Sequence, residues 1–237
     1  MSKNDFSNSI FITGANRGMG LGYVNFYLKK GLSVVATAKD PQNSIELISL
    51  HKEHPKQLLI AELDLEKGES IDRLADLFKK VKATFQIAIN NAGISLAEEF
   101  GKWTMPTFEQ HFRINTIGPA LVSQAIVPYM GKDSKLIQIS SGLGSLEWNI
   151  NPQMPLDAYA MSKCSLHSLT VRLAEKLRER QIIVVAINPG WVKTDMGGNE
   201  APMHIAEAIN NITETVENLT DKVTGKFLSD QGELIPW

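Results

Sequence analysis

Tyr159 and Lys163 stand four positions apart in the stretch YAMSK, the spacing at which two side chains project from one face of a helix. A phenol with its ordinary pKa of about 10 is a poor acid at neutral pH. A neighbouring ammonium favours the phenolate and brings that proton into usable range. The pair therefore reads as a proton-donating device, or as two residues on a solvated helix face. A second chemical signal is TGANRGMG, from Thr13 to Gly20. Its glycines, Gly14, Gly18 and Gly20, permit a tight turn, close approach of a phosphate to backbone, and close packing of helix on strand. Asn16, Arg17 and Met19 belong to the same turn. A helix opening there offers unpaired N–H groups and a positive dipole end to a pyrophosphate. The alternative is a glycine-rich turn that holds no ligand.

The elements that must position these residues follow from hydrophobic periodicity. Short apolar runs at Ile10–Thr13, Ser33–Ala38, Gln57–Glu62, Phe85–Asn90, Lys135–Ser140, Ile182–Asn188 and Lys226–Ser229 read as strands. Several are nearly continuous, such as IIVVAI, as expected of parallel strands covered on both faces. Helical patterns lie between them at Gly18–Lys30, Ser70–Val81, Phe108–Met130, Tyr159–Arg180 and His204–Leu219. Alternation of strand and helix implies right-handed crossovers and one doubly wound parallel sheet of about seven strands. No linker, repeat or low-complexity tract interrupts it, so residues 1–237 are expected to form a single domain. In this arrangement the glycine turn follows a strand and opens a helix, the context a dinucleotide site requires.

Bulk properties narrow the function. The 237 residues suffice for a substantial core. A formal charge of −2 with acids and bases interspersed gives no electrostatic case for nucleic acid or a membrane surface. One cysteine, Cys164, excludes an internal disulfide framework and fits a reducing compartment. The opening MSKNDFSNS lacks the apolar core of a signal peptide, and no apolar run is long enough to span a bilayer. The expectation is a soluble, cytoplasmic protein whose Asn-x-Thr sequons at Asn211 and Asn218 are idle. His51, His54, His111, His167 and His204 show no metal-ligand spacing, so no metal is expected.

Taken together, the TGxxxGxG pattern, Asn90-Asn91-Ala92-Gly93 after the fourth strand, Ser140-Ser141 after the fifth, and Tyr159-x-x-x-Lys163 resemble the short-chain dehydrogenase/reductase superfamily. The resemblance runs over nearly the whole chain. The stretch NPGWVKTDMGG and the terminal GKFLSDQGELIPW are similar to the branch that contains carbonyl reductase-like and C-factor-like proteins. It implies a single-domain Rossmann fold with a built-in substrate site. It also implies an enzyme, an NADP-dependent oxidoreductase that reduces a ketone or aldehyde to an alcohol by hydride transfer. In that family Tyr159 matches the general acid that protonates the carbonyl oxygen. Lys163 matches the group that lowers the tyrosine pKa and binds the nicotinamide ribose. Ser141 matches the hydroxyl that holds the substrate oxygen, and Asn115 the residue that holds a water in a proton relay. Asp64 and Leu65 resemble the pair that contacts adenine, and Asn91, Ala92 and Gly93 would support the adenosine side. Pro189, Gly190, Val192 and Thr194 resemble the loop that closes on the carboxamide.

Two features depart from that pattern or bear on the coenzyme. Tyr159 lies eighteen positions after Ser141, so the segment between them is an enlarged loop, with Ser140 the fallback serine if the register is off by one. At the end of the second strand, where an NAD-preferring site usually carries an acid, stand Ala38 and Lys39. Lys39 and Arg17 would favour the 2′-phosphate of NADP, hence NADPH over NADH, unless a shifted register presents Asp40 to the ribose.

Leu143, Trp148, Met154 and Leu156 in the enlarged loop, with Trp191 and Met196 after the sixth strand, would give the pocket apolar walls. A small apolar or aromatic carbonyl or alcohol is then the expected substrate. Ile117, Leu121, Ile126 and Val127 give the helix at 108–130 an apolar surface, for which a homodimer or homotetramer is the expected explanation. Two other functions use the same scaffold. One is a dinucleotide-binding sensor or signalling protein with little turnover. The other is a lyase or epimerase, whose relatives usually carry a further substrate domain.

Overall fold

The computed structural model describes residues 6–237, so the first five residues of the polar N-terminal stretch lie outside it. All eight described strands belong to one sheet, in the order β3-β2-β1-β4-β5-β6-β7-β8. Seven are parallel neighbours and correspond to the expected runs: β1 (Ser9–Ile12), β2 (Val34–Ala38), β3 (Leu58–Glu62), β4 (Phe85–Asn90), β5 (Met130–Ile139), β6 (Ile183–Asn188) and β7 (Phe227–Ser229). The eighth, β8 (Leu234–Ile235), pairs antiparallel with β7. Two residues carry no periodicity, which is why the sequence pattern shows seven strands and not eight.

The continuous apolar runs are explained by burial on both faces. Along β1, Ile10 and Ile12 enter one core with Tyr23, Tyr27, Ile209 and Ile212, while Phe11 enters the other with Phe78, Phe85 and Ile126. Helices α1 (Gly18–Lys29) and α7 (Ile205–Glu217) cover the first face, and α3 (Gly68–Val81), α5 (Gly118–Ile126) and α6 (Asp157–Lys176) the second. The chain order reverses across the sheet between β1 and β4, and ligands of open α/β sheets bind in the crevice at such a switch point.

Two helical expectations need correction. Helix α2 (Ile45–Glu53) had no visible pattern, because Leu47 is its one fully buried residue. The run at 108–130 is not one helix. It is α4 (Met105–Phe112), a π-helical turn at Arg113–Ile117, α5, and a 3₁₀ turn at Val127–Tyr129 that leads directly into β5. Pro119 and Pro128 lack the N–H that a continuous ladder needs. The wide turn also swings Asn115 into the interior, where it is fully buried, and such turns recur at functional sites.

Candidate active site

The C-terminal ends of β1 and β4 are stitched together by side chains. The Thr13 hydroxyl accepts from the N–H groups of Asn91 and Ala92, each at 3.0 Å, and Asn91 Nδ2 donates to the carbonyls of Thr13 (2.9 Å) and Gly14 (3.2 Å). This seam has no room for side chains on the glycine turn. A Cβ at Gly14 would lie 2.9 Å from Ala92 Cα, and one at Gly20 would lie 2.0 Å from the Gly14 carbonyl oxygen. At Gly18 the requirement is conformational: its φ is +55°, while a Cβ there would meet only Thr194 Cγ2, at an ordinary 3.7 Å. The turn is thus a backbone cradle at the head of α1, which fits a pyrophosphate.

Above the cradle is a cavity of about 390 Å³. Gly14, residues 16–20, Lys39, Asp64, Leu65, residues 91–93, Tyr159, Lys163, Pro189 and Thr194 all line it, as their sequence positions suggested. Asp40 does not line the cavity, and its carboxylate accepts from Asn43 N–H and Nδ2, capping a 3₁₀ turn. Gly190 and Val192 do not line the cavity. Val192 is buried and bridges to Met203, and Gly190 sits against the Met203 side chain. Of the six expected apolar wall residues, Met196 alone lines the cavity. Trp148 packs over Gly142 instead, and the Trp191 indole donates to the Gly197 carbonyl at 2.7 Å. The loop conformation consumed what sequence assigned to the pocket. Among the cavity residues that sequence reasoning missed are Glu66, Gln110 and Asp195. Two of them are acids, which the search for cations passed over.

The inner end of the cavity is buried. Tyr159 is 8% exposed and Lys163 4%, both presented by α6. Lys163 Nζ donates to the Ile139 carbonyl at 2.9 Å and lies 5.7 Å from the Tyr159 ring centroid. Burial pushes the Lys163 ammonium down to about 8. The Tyr159 phenol is raised above its ordinary value by burial, against a hydrogen bond with Ser141 that favours the phenolate. The lowering expected from Lys163 is not seen in this state: removal from water outweighs the Ser141 hydrogen bond, and the ammonium itself loses charge stability there.

Asn115 closes the arrangement from behind. Its Nδ2 donates to the Ile94 carbonyl (2.9 Å) and to Ser162 Oγ (3.0 Å), and its Oδ1 accepts from Ile94 N–H (2.9 Å). Ser162 Oγ in turn donates to the Tyr159 carbonyl at 2.7 Å. Ser141, which caps the 3₁₀ turn after β5 and accepts from Leu143 N–H at 3.2 Å, also influences the Tyr159 phenol, whereas the Ser140 Oγ lies 2.7 Å from His167 Nε2. Ser141 is the serine that influences the phenol, while Ser140 and not Ser141 lines the cavity. His167 is buried against Phe227 and Trp237. Burial and then the nearby Lys163 charge push its imidazole down to about 4. Its Nδ1 faces the Gly144 backbone without reaching a well-formed hydrogen bond. His111 is also buried, with Nε2 accepting from Leu96 N–H at 3.0 Å, which leaves Nδ1–H to donate to the Thr107 carbonyl at 2.7 Å. Among the described residues no cluster of three or more His, Cys, Asp or Glu could hold a metal ion. Among the same residues no helix is long and apolar enough to cross a membrane.

The arrangement brings a hydroxyl donor, a buried phenol and a buried amine to the end of a cavity whose other end is a phosphate cradle. Comparisons with known proteins show the family. The family model described as short chain dehydrogenase matches residues 8–204. The chain is 33% identical to the crystal structure of an NADPH-bound carbonyl reductase from chicken fatty liver, covering 98% of this chain and 99% of that one with a TM-score of 0.91. It is 30% identical to the carbonyl reductase Sniffer of D. melanogaster, covering 98% of this chain and 100% of that one, also with a TM-score of 0.91. The short chain dehydrogenase gsfK of Penicillium aethiopicum is 30% identical over 97% of this chain and 99% of its own.

Proposed function

We propose that this chain, which belongs to the short chain dehydrogenase family, is an NADP-dependent reductase of ketones or aldehydes. The observation that carries the reading is the convergence of the buried Tyr159 and Lys163 on the cavity that the glycine cradle opens, with Ser141 beside the phenol. Bound in that cavity, a nicotinamide coenzyme supplies the hydride. Gly14, Asn16, Gly18, Met19 and Gly20 hold its pyrophosphate side, with Asp64, Leu65, Asn91, Ala92 and Gly93 toward the adenosine. Pro189 and Thr194 lie toward the carboxamide. Lys39 and Arg17 are the cations available to a 2′-phosphate, and the cavity rim presents no free acid at Asp40.

The chain's own residues then have distinct tasks. Ser141 donates a hydrogen bond to the carbonyl oxygen, where negative charge develops. Tyr159 holds the proton that this oxygen takes up, and its raised pKa keeps the phenol protonated until the oxygen needs it. Lys163 binds the coenzyme ribose and stabilises the phenolate left behind. Asn115, both of whose amide hydrogens are taken by protein groups, fixes the wall behind Lys163 and has an Oδ1 lone pair left for a relay water. Met196, with Leu63, Leu65, Ile94, Ile114 and Ile139, gives the cavity apolar lining, which favours small apolar or aromatic carbonyl compounds over charged ones. Loss of NADPH absorbance with a panel of aromatic and aliphatic carbonyls tests the reading. Turnover confined to phosphorylated compounds, or coenzyme binding with no turnover at all, would overturn it, the latter in favour of a sensor.

We also propose a homodimer or homotetramer. Ile117 and Leu121 on the π turn and α5, and Met161 and Val171 on α6, are 49%, 38%, 49% and 45% exposed, while Ile126, expected at the same surface, is fully buried in the core. A monomeric mass by light scattering would refute this assembly.

A further inference from the structure

Charge at the mouth of the cavity is balanced within a small space. Arg17 Nη1 lies 2.9 Å from Asp195 Oδ2, and Lys39 Nζ lies 2.7 Å from Glu66 Oε2 and 3.4 Å from Asp64 Oδ2. Lys67 reaches the same Asp64 oxygen at 3.6 Å. Three cations thus face three carboxylates, and neither cation assigned to a 2′-phosphate stands free of an acid.

The acids on Lys39 are not equivalent. Asp64 is structural: its side chain is 7% exposed and its Oδ1 accepts from Glu66 N–H at 3.1 Å, holding the turn after β3. The Glu66 carboxylate is held by side chains, Lys39 and, at 3.5 Å, Gln110 Nε2. Its hydrogen bond is the largest influence raising the Lys39 pKa. An incoming phosphate must therefore take Lys39 from Glu66 and settle near a second negative charge, whereas a coenzyme with a free 2′-hydroxyl faces neither requirement.

We propose that Glu66 is a specificity-determining residue that competes with the 2′-phosphate of the coenzyme for Lys39 and holds discrimination between NADPH and NADH below what Lys39 alone would give. This rests on the reading that Lys39 meets the 2′-phosphate. A ligand shifts such a competition only by its differential interaction with the two arrangements, so the effect falls on NADPH and spares NADH.

Fluorescence titration of the full chain with NADPH and with NADH, in the absence of substrate, tests the inference. Lys39→Ala should weaken NADPH by roughly tenfold and change NADH little. Glu66→Gln should tighten NADPH by about three- to fivefold, the size of an exposed ion pair, and leave NADH within about twofold. The gain should shrink at high salt and should be smaller in a Lys39→Ala background. If Lys39→Ala spares NADPH, the reading of the coenzyme site fails and the inference with it. If Lys39→Ala acts selectively but Glu66→Gln does nothing, or shifts both coenzymes alike, the inference alone fails. An equal gain with and without Lys39 would replace competition by simple repulsion and overturn the proposal.

Discussion

At the rim of the cavity the Arg17 and Lys39 side chains are 74% and 64% exposed, and each lies against a carboxylate. At the inner end, Lys163 is 4% exposed, and its Nζ donates to a backbone carbonyl. The first region keeps its charges by pairing them in water, where each pair contributes little and salt screens it. The second holds titratable groups out of water, so burial sets their protonation: the phenol moves up and the amine and imidazole move down. Changes at the rim should therefore tune affinity in small steps and leave the fold alone. Changes at the inner end should alter chemistry or stability.

The largest effect expected is that of Tyr159→Phe. It removes one hydroxyl and leaves the packing almost unchanged, so folding and coenzyme affinity should survive. Turnover should fall by about 10²–10⁴-fold, the usual contribution of general acid catalysis, with the coenzyme dissociation constant within a few-fold of wild type. Lys163→Ala should differ in kind and lose both turnover and coenzyme affinity. Steady-state kinetics beside direct binding separates the two. Robust reduction by the Tyr159→Phe protein would break the comparison at its buried end.

The rim variants come next, at about an order of magnitude or less, through the selectivity of Lys39 and Glu66 described above. A further effect is on stability and reads the inner end without any ligand. His167 titrates near 4 in the folded chain against an ordinary value of 6.5. Between those values the unfolded chain binds the proton first, so this histidine stabilises the fold above pH 6.5 and that contribution is lost as the pH falls toward 4. His167→Gln should flatten the fall in unfolding free energy across this window by up to about 1.4 kcal/mol per pH unit, the slope for one proton. Denaturant midpoints of both proteins across that window measure it, and parallel curves would show that burial does not govern His167.

Local pattern carried a large part of this molecule. Seven strands were legible because burial on both faces leaves continuous apolar runs in β1, β4 and β6. The glycine turn was legible because Gly14 and Gly20 admit no side chain. Tyr159 and Lys163 were legible because a four-residue spacing on one helix fixes a shared face. Helix α2 and strand β8 were not, since one buries a single residue and the other has only two residues.

What tertiary structure decided lies where distant segments meet. The π turn, not any periodicity, carries Asn115 to its three hydrogen bonds with Ile94 and Ser162. Arg17 and Asp195 are 178 positions apart, and Lys39 and Glu66 are 27 apart, so no local pattern announces either pair. The pKa of Tyr159 belongs to the same class. Spacing placed an amine beside a phenol and so suggested a lowered value, but the folded chain withdraws both from water, and desolvation sets the direction of each shift. Spacing along a helix determines which groups share a face. How much water remains around them depends on every element packed against that face, and only the assembled fold sets it.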